Sequence, residues 1–129
     1  MPEFSEVELG AMAMLLAGST EGLKELRAQF QSATCKARSF TGSGFFTSFE
    51  LARSAPRSPI RRSPVGDVYG ELNGLKHGAG FLLFLTDGFI DYLECFSFED
   101  WPEVVSLRCL YYVKDIGNGS LVETDVRDM

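Results

Sequence analysis

The sequence predicts an α+β fold, with two N-terminal helices packed on an antiparallel β-sheet, a meander of four to six strands. Up to residue 34 the apolar residues recur at helical spacing, whereas from residue 38 to 126 they alternate as in strands, between glycine-containing turns. The 129 residues match the usual length of one domain, so residues 1–129 are expected to share one core.

The helical pair is predicted within residues 1–34. Ser5 and Glu8 have the spacing of a capping box, and the apolar stripe that follows stops before Gly18, a residue suited to ending a helix. A second helix is predicted to start at Ser19 or Thr20. Its apolar stripe consists of Leu23, Leu26, Phe30 and Ala33. Both stripes indicate helices that lie on the rest of the domain.

The sheet is predicted between residues 38 and 126, interrupted by an exposed Pro/Arg loop at 52–64, where three prolines break the periodicity. Asn73-Gly74 and Asp87-Gly88 are typical of tight hairpin turns, and Asn118-Gly119 is a third candidate. The strand before the loop covers 45–51. The strands after it are expected at Asp67 to Leu72, Gly80 to Thr86, Phe89 to Phe98, Leu107 to Ile116 and Leu121 to Val126.

Gly80 to Leu85 is apolar on both faces, which predicts a central strand covered on both sides. The helices would cover one face. A long loop, a curled sheet or a second copy of the protein would cover the other. Because a large uncovered apolar face marks an interface, this strand points to self-association.

The charge and the hydropathy pattern exclude several classes of protein. A net charge of -6 argues against binding to nucleic acids and to anionic membranes. The longest apolar run, Ala79 to Leu85, is far below the ~20 residues of a membrane span, and the acidic N-terminus has the wrong charge for a secretory signal. A cytoplasmic protein is therefore expected. Cys35, Cys95 and Cys109, at irregular spacings, are expected to be reduced and buried.

The motif search predicts neither a metal site nor a cofactor. The chain has one histidine, so it cannot supply a multi-histidine metal site, and it lacks the glycine-rich phosphate-binding and dinucleotide-binding patterns and the serine elbow of hydrolases. No catalytic residue is assigned. The candidate binding residues are His77, Glu94, Glu99, Asp100, Trp101 and Glu103.

His77 and Glu94 each allow two interpretations. His77 lies among glycines before the central strand, where it is either a general base or a loop histidine bonded to a backbone carbonyl. Alternation places Glu94 on the face of Ile90, Tyr92, Phe96 and Phe98. Burial there would raise the pKa of Glu94 and suit acid–base chemistry, but an ion pair with Arg108 or Arg38 is favoured, because buried charges are normally paired.

The remaining candidates lie in a segment without Lys or Arg, between Asp87 and Leu107. Glu99, Asp100 and Glu103 are expected to form a solvated rim, and Trp101 is either an anchor for a partner or a lid over the sheet edge. The basic residues of the 52–64 loop are Arg53, Arg57, Arg61 and Arg62. They would bind an acidic partner or, as favoured here, remain solvated.

Three stretches of the chain are FTGSGFFT at 40–47, GDVYGE at 66–71 and HGAGFLLF at 77–84. Together with Asp87-Gly88, Leu93-Glu94 and Trp101-Pro102 they resemble a group of short bacterial proteins of uncharacterised function. The resemblance covers roughly residues 38–113, implies a bacterial origin and carries no catalytic residue or ligand. In size and charge alone the chain is similar to immunity or antitoxin-type inhibitors.

These observations favour a non-enzymatic protein-binding module that acts through its acidic segment and Trp101. Its partner is expected to be another protein or a second copy in a homodimer. The alternative is a small hydrolase-like enzyme in which Glu94 and His77 meet in a pocket.

Overall fold

A computed structural model of the protein describes residues 3–117, 119–124 and 127, and its fold is α+β, as predicted. Within these residues the seven strands form one antiparallel sheet, so the predicted number of four to six strands is wrong. The helices are α1 (Glu6–Leu15) and α2 (Leu23–Gln31). The strands are β1 (Thr34–Phe40), β2 (Gly44–Glu50), β3 (Val65–Asn73), β4 (Ala79–Thr86), β5 (Phe89–Phe96), β6 (Ser106–Asp115) and β7 (Leu121–Thr124).

β1 is the strand that the sequence analysis missed. A bulge places both Lys36 and Ala37 opposite Ser48, so that Cys35 and Arg38 point to the same face of the sheet. The bulge hides the strict alternation by which a strand is recognised in a sequence. At the other end of the chain, Asn118 of the predicted turn and residues 125–126 of the predicted last strand lie outside the described residues.

The strand order is β1-β2-β5-β4-β3-β6-β7, so the meander prediction is wrong at two connections. β3, β4 and β5 are consecutive neighbours, and β4 is the central strand, as its sequence predicts. However, β2 pairs with β5, and β6 pairs with β3. Two crossovers make these pairings. The long crossover, residues 51–64, connects β2 to β3, and the short crossover, residues 97–105, connects β5 to β6. Each passes two strands of the sheet.

Glycine conformations fix two of the boundaries. Gly22 has φ +98°, outside the helical region, so α2 begins at Leu23 and not at Ser19 or Thr20. Asp87 and Gly88, both with positive φ, form the tight turn predicted between β4 and β5. Asn73-Gly74 does not form a two-residue hairpin turn as predicted, because five residues, 74–78, separate β3 from β4.

One cluster of buried apolar side chains joins both helices to β2, β3, β4 and β5. The rings of Phe4, Phe30 and Phe49 meet at centroid distances of 5.1–5.9 Å, which links the N-terminus, α2 and β2. Each large apolar side chain buried in this way stabilises the fold by about 2 kcal/mol. The largest fully buried apolar members are Phe81, Met12, Leu15, Leu23, Leu26, Leu83 and Leu93.

A buried charge connects α1 to the first hairpin. Glu8 completes the predicted capping box with Ser5, and its carboxylate also accepts hydrogen bonds from Arg38 at 2.5 and 2.9 Å and from the Thr47 hydroxyl. Burial alone would raise the pKa of Glu8. The hydrogen bonds from Arg38, Thr47 and Ser5 outweigh that effect, so the pKa is lowered and the carboxylate stays charged.

Gln29, fully buried on α2, connects the long crossover to the β4–β5 turn. Its amide nitrogen donates to the carbonyl oxygens of Pro56 and Gly88 at 2.7 and 2.8 Å, and its amide oxygen accepts from the Ile90 N–H at 2.8 Å. The crossover is also held by buried Ser58. Its four arginines are exposed, but its backbone is anchored.

Among the described residues, no helix is long and apolar enough to cross a membrane. All three cysteines are free. Cys35 and Cys95 are buried, and burial raises the pKa of both thiols. Cys109 is exposed, contrary to the prediction, because it lies on the less covered β6.

Replacing Glu8 with Gln is expected to lower the free energy of unfolding by about 3 kcal/mol at neutral pH, because Arg38 loses its buried partner. The folded-state pKa of Glu8 is lowered, so its contribution is complete above the unfolded-state pKa and is lost as the pH falls through the folded-state value. Urea unfolding from neutral to acidic pH measures both effects. Glu6→Gln, at an exposed position of the same helix, is the control, and equal losses in the two variants would contradict this role.

Replacing Gln29 with Leu is expected to cost about 2 kcal/mol, because the buried Ile90 N–H and the Pro56 carbonyl lose this partner and the Gly88 carbonyl keeps only the Ser58 N–H. The long crossover should then open locally, and trypsin should cleave faster after Arg57, Arg61 or Arg62. Limited proteolysis followed by mass spectrometry locates the cuts. Gln31→Leu, at an exposed position of α2, should cleave like the wild type, and an unchanged cleavage pattern in Gln29→Leu would disprove the anchor.

Candidate functional site

Both helices lie on one side of the sheet, and each crossover contacts that side. The long crossover contacts α2 and the glycine before it, through Gln29 and a 2.9 Å hydrogen bond from the Ser58 hydroxyl to the Gly22 carbonyl. In the short crossover, the Trp101 ring packs edge-on against Phe45, which belongs to the core beneath the helices. The opposite side of the sheet, called the open face below, receives Phe98 of the short crossover, whose ring meets Phe96.

The open face is rich in aromatic residues. Strand alternation places large, half-buried side chains there, and Phe98 at the start of the short crossover adds a ring that is 83% exposed. The aromatic pairs formed by these residues lie within the open face. The half-buried members include Phe46, Tyr69, Leu82, Phe84, Tyr92, Phe96 and Tyr111, which lies opposite Tyr69.

The rings form two clusters. In the Tyr92 cluster, Tyr92 stacks on Phe84 at 4.5 Å between centroids and meets Phe46 at 5.7 Å. In the Phe96 cluster, Phe96 meets Tyr69 at 5.9 Å and Phe98 at 6.0 Å, both edge-on. Such geometries are the favourable ones for aromatic pairs, and they fix the ring orientations before any partner binds.

Two glycines allow these side chains to lie down on the sheet. A Cβ atom at Gly80 would be 2.3 Å from the Phe96 ring, and one at Gly66 would be 2.4 Å from Leu82. Gly66 begins the GDVYGE stretch at 66–71, and Gly80 lies in the HGAGFLLF stretch at 77–84. Phe84 and Tyr92 stack nearly parallel, at an interplanar angle of 13°, whereas the other ring pairs of this surface are inclined at 61–87°.

Glu94 lies between the two clusters. It is half-buried, pairs across the sheet with Phe46 and Leu82, and has Tyr92 and Phe96 as its neighbours on the same strand. Aromatic rings therefore border the carboxylate on three sides. Within the described part of the chain, Glu94 makes no hydrogen bond or ion pair.

The predicted ion pair of Glu94 is not present among these residues, because Arg38 binds Glu8 on the other side of the sheet and Arg108 lies exposed on β6. The predicted neighbours Tyr92 and Phe96 are correct. Ile90 is not a neighbour, since the bulge at Asp91 turns it into the core.

Glu99 has a structural role that its sequence did not reveal. Its carboxylate accepts hydrogen bonds from the backbone N–H groups of Lys76 and His77 at 2.9–3.1 Å and so closes the turn between β3 and β4. These two bonds lower the pKa of Glu99. The predicted rim is therefore reduced to Asp100 and Glu103, which are exposed.

Trp101 acts as a lid over the sheet edge, one of its two predicted roles. It is half-buried, its ring centroid lies 5.5 Å from that of Phe45, and its backbone N–H donates to the Gly42 carbonyl at 2.8 Å. Trp101 and Glu103 also line a cavity of about 330 Å³ beside the α1 N-terminus, with the exposed Phe40 and Val104. Trp101 is thus already engaged within the chain.

His77 is exposed and lines a polar cavity of about 210 Å³ with Lys76, Arg108 and Tyr111. Glu94 is paired with Leu82, which is three residues, or about 10 Å, into β4, and His77 lies in the turn before that strand. The two side chains do not meet in either cavity, so the acid–base pair of the hydrolase alternative is not assembled. No group of three or more potential metal ligands occurs among the described residues.

Comparison with protein-family models, curated proteins and solved structures gave no significant match.

The backbone amide signals of Lys76 and His77 are expected to titrate together, because both donate to Glu99. The midpoint should lie below the ordinary range of a glutamate, since the pKa of Glu99 is lowered, and both hydrogen bonds weaken as the pH falls through it. Two-dimensional NMR between neutral and acidic pH measures the shifts. The pH-dependent shifts should persist in Glu103→Gln and vanish in Glu99→Gln. A midpoint in the ordinary range of a glutamate would contradict the role assigned to Glu99.

Proposed function

We propose that the protein is a non-enzymatic binding module that holds a protein partner on the open face of its sheet. The observation that carries the proposal is the group of aromatic rings around Glu94, on the side of the sheet opposite the helices, with the Phe98 ring 83% exposed beside them. Surfaces of this kind mark interaction sites, because soluble proteins seldom leave large contiguous apolar patches in water.

The composition of the open face suits a binding role. Aromatic residues are enriched in interface cores, and Tyr and Trp dominate the residues whose loss weakens binding most. The rings of Tyr92 and Phe96 are already held by their neighbours, so they lose little conformational freedom when a partner binds. The exposed ring of Phe98 is then available to fill a pocket on the partner.

The charge of the chain favours a basic partner. The net charge is -6, and the exposed carboxylates of Asp100 and Glu103 follow Phe98 in the short crossover. Complementary charge at an interface rim speeds association and disfavours wrong partners. The open face thus supplies the contact area, and the negative charge of the chain supplies electrostatic selection.

The same charge disfavours the homodimer as the main assembly. A two-fold contact between two open faces brings two copies of Glu94 into one interface, and each chain carries the same negative net charge. A second protein is therefore the preferred partner. This proposal agrees with the analogy to immunity or antitoxin-type inhibitors, and we propose the bacterial cytoplasm as its location on the sequence grounds given above.

Capture from host lysate is expected to depend on the open face. Tagged wild-type protein should retain a stoichiometric partner, and Phe98→Ser combined with Phe46→Ser should lose it, because each aromatic anchor contributes about 2 kcal/mol, or roughly thirtyfold in affinity. Quantitative mass spectrometry of the captured proteins gives the ratio. Circular dichroism confirms that the variant is folded.

Two further variants locate the interface. Leu9→Ser changes a half-exposed apolar residue of α1, on the helix side of the molecule, and should capture the partner as the wild type does. Asp100→Lys with Glu103→Lys should reduce capture less than the loss of the rings. A partner lost only with these two charge reversals, or retained by the open-face variant, would reject the open face as the interface.

A further inference from the structure

We propose that Glu94 and the rings around it form a receptor for an arginine side chain of the protein partner. This inference rests on the proposed function, since it assigns the chemistry of the group received at the centre of the open face. The bound group is a guanidinium that enters between the Tyr92 cluster and the Phe96 cluster and binds the Glu94 carboxylate.

The local geometry provides both kinds of contact that a guanidinium uses. Glu94 lies directly opposite Phe46 in the sheet, and Tyr92 and Phe96 are two residues away on the same strand, at about 7 Å. A planar cation above the carboxylate therefore lies within reach of three aromatic rings. Cation–π attraction acts up to about 6 Å from a ring centroid, so it adds to the ion pair.

The state of Glu94 in the chain itself supports this role. Glu8, the carboxylate on the other side of the sheet, is fully buried and is satisfied by Arg38, Thr47 and Ser5. Glu94 is half-buried, with no hydrogen bond or ion pair from the described residues. Burial beneath a partner would leave Glu94 as a costly unpaired charge unless the partner brought a cation.

The aromatic surroundings favour arginine over lysine. A guanidinium is planar, binds a carboxylate through two parallel N–H donors and stacks on aromatic rings, whereas an ammonium is a strongly hydrated point charge. The Phe96 ring lies over Gly80 of β4, and Leu82 lies over Gly66 of β3, so both side chains lean away from Glu94 on β5. Once the surrounding rings exclude water, the pair is strengthened further.

The test uses a single side chain as the probe. N-acetyl-arginine-N-methylamide is titrated into the whole protein, and the amide signals of Phe46, Tyr92, Glu94 and Phe96 are followed by NMR. We expect saturable binding with a dissociation constant in the millimolar range, weakened by about tenfold in Glu94→Gln. The neutral citrulline analogue, which has the same shape, should bind wild-type protein as weakly as the arginine probe binds Glu94→Gln.

Glu6→Gln is the matched control, because Glu6 is exposed and lies on α1, on the other side of the sheet. It should bind the arginine probe as the wild type does. Absence of saturable binding, equal binding by Glu94→Gln, or equal binding of the citrulline analogue would overturn the proposal. Tighter binding of the lysine analogue or of tetramethylammonium would also overturn it, since the site would then select a different cation.

The outcomes separate this inference from the proposed function. If partner capture requires Phe46 and Phe98 but Glu94→Gln binds the arginine probe as the wild type does, the arginine receptor is rejected and the open face remains the proposed interface. If the probe binds through Glu94 but no captured protein depends on the open face, the cation site stands and the proposed function fails. Sedimentation of the wild-type protein adds a third readout. A dimer that dissociates in Phe98→Ser would show that a second copy of the chain, and not an arginine of another protein, occupies the open face.

Discussion

The arrangement of the molecule depends on the buried carboxylate of Glu8. By accepting hydrogen bonds from Arg38 of β1 and Thr47 of β2, it fixes the N-terminus of α1 against the first hairpin. Gln29 of α2 performs the same task at the start of β5, where its amide oxygen accepts a hydrogen bond from the Ile90 N–H. Both helices are therefore held on the same side of the sheet, and the exposure of the other side follows from this placement.

The two faces of the sheet consequently have different roles, one in stability and the other in recognition. The helix side contains the fully buried apolar residues and satisfied polar groups, so most of the folding free energy is located there. The open face contains half-buried rings and the carboxylate of Glu94. Residues such as Phe98 contribute little to the core and are free to serve recognition.

The sequence revealed local features better than distant ones. The Ser5–Glu8 capping box, the Asp87-Gly88 turn and the central position of β4 follow from short-range spacing, and all are correct. Strand order depends on where the two crossovers lead, which periodicity does not encode. Bulges had the largest local effect: the one at Lys36 aims Arg38 at Glu8, and the one at Asp91 removes Ile90 from the neighbours of Glu94. The role of Glu99 was missed because its partners are backbone groups of a distant turn.

The strand order also bears on how the chain is made. β3, β4 and β5 are neighbours in sequence and pair locally, but the outer edge of β3 is covered only when β6 (Ser106–Asp115) pairs with it. Until the ribosome has released that segment, β3 is an unprotected edge strand beside a surface rich in aromatic rings, a combination that promotes aggregation. The β6–β7 hairpin thus protects the sheet only once it has been synthesised, and cells in which synthesis stalls before it would have to rely on chaperones.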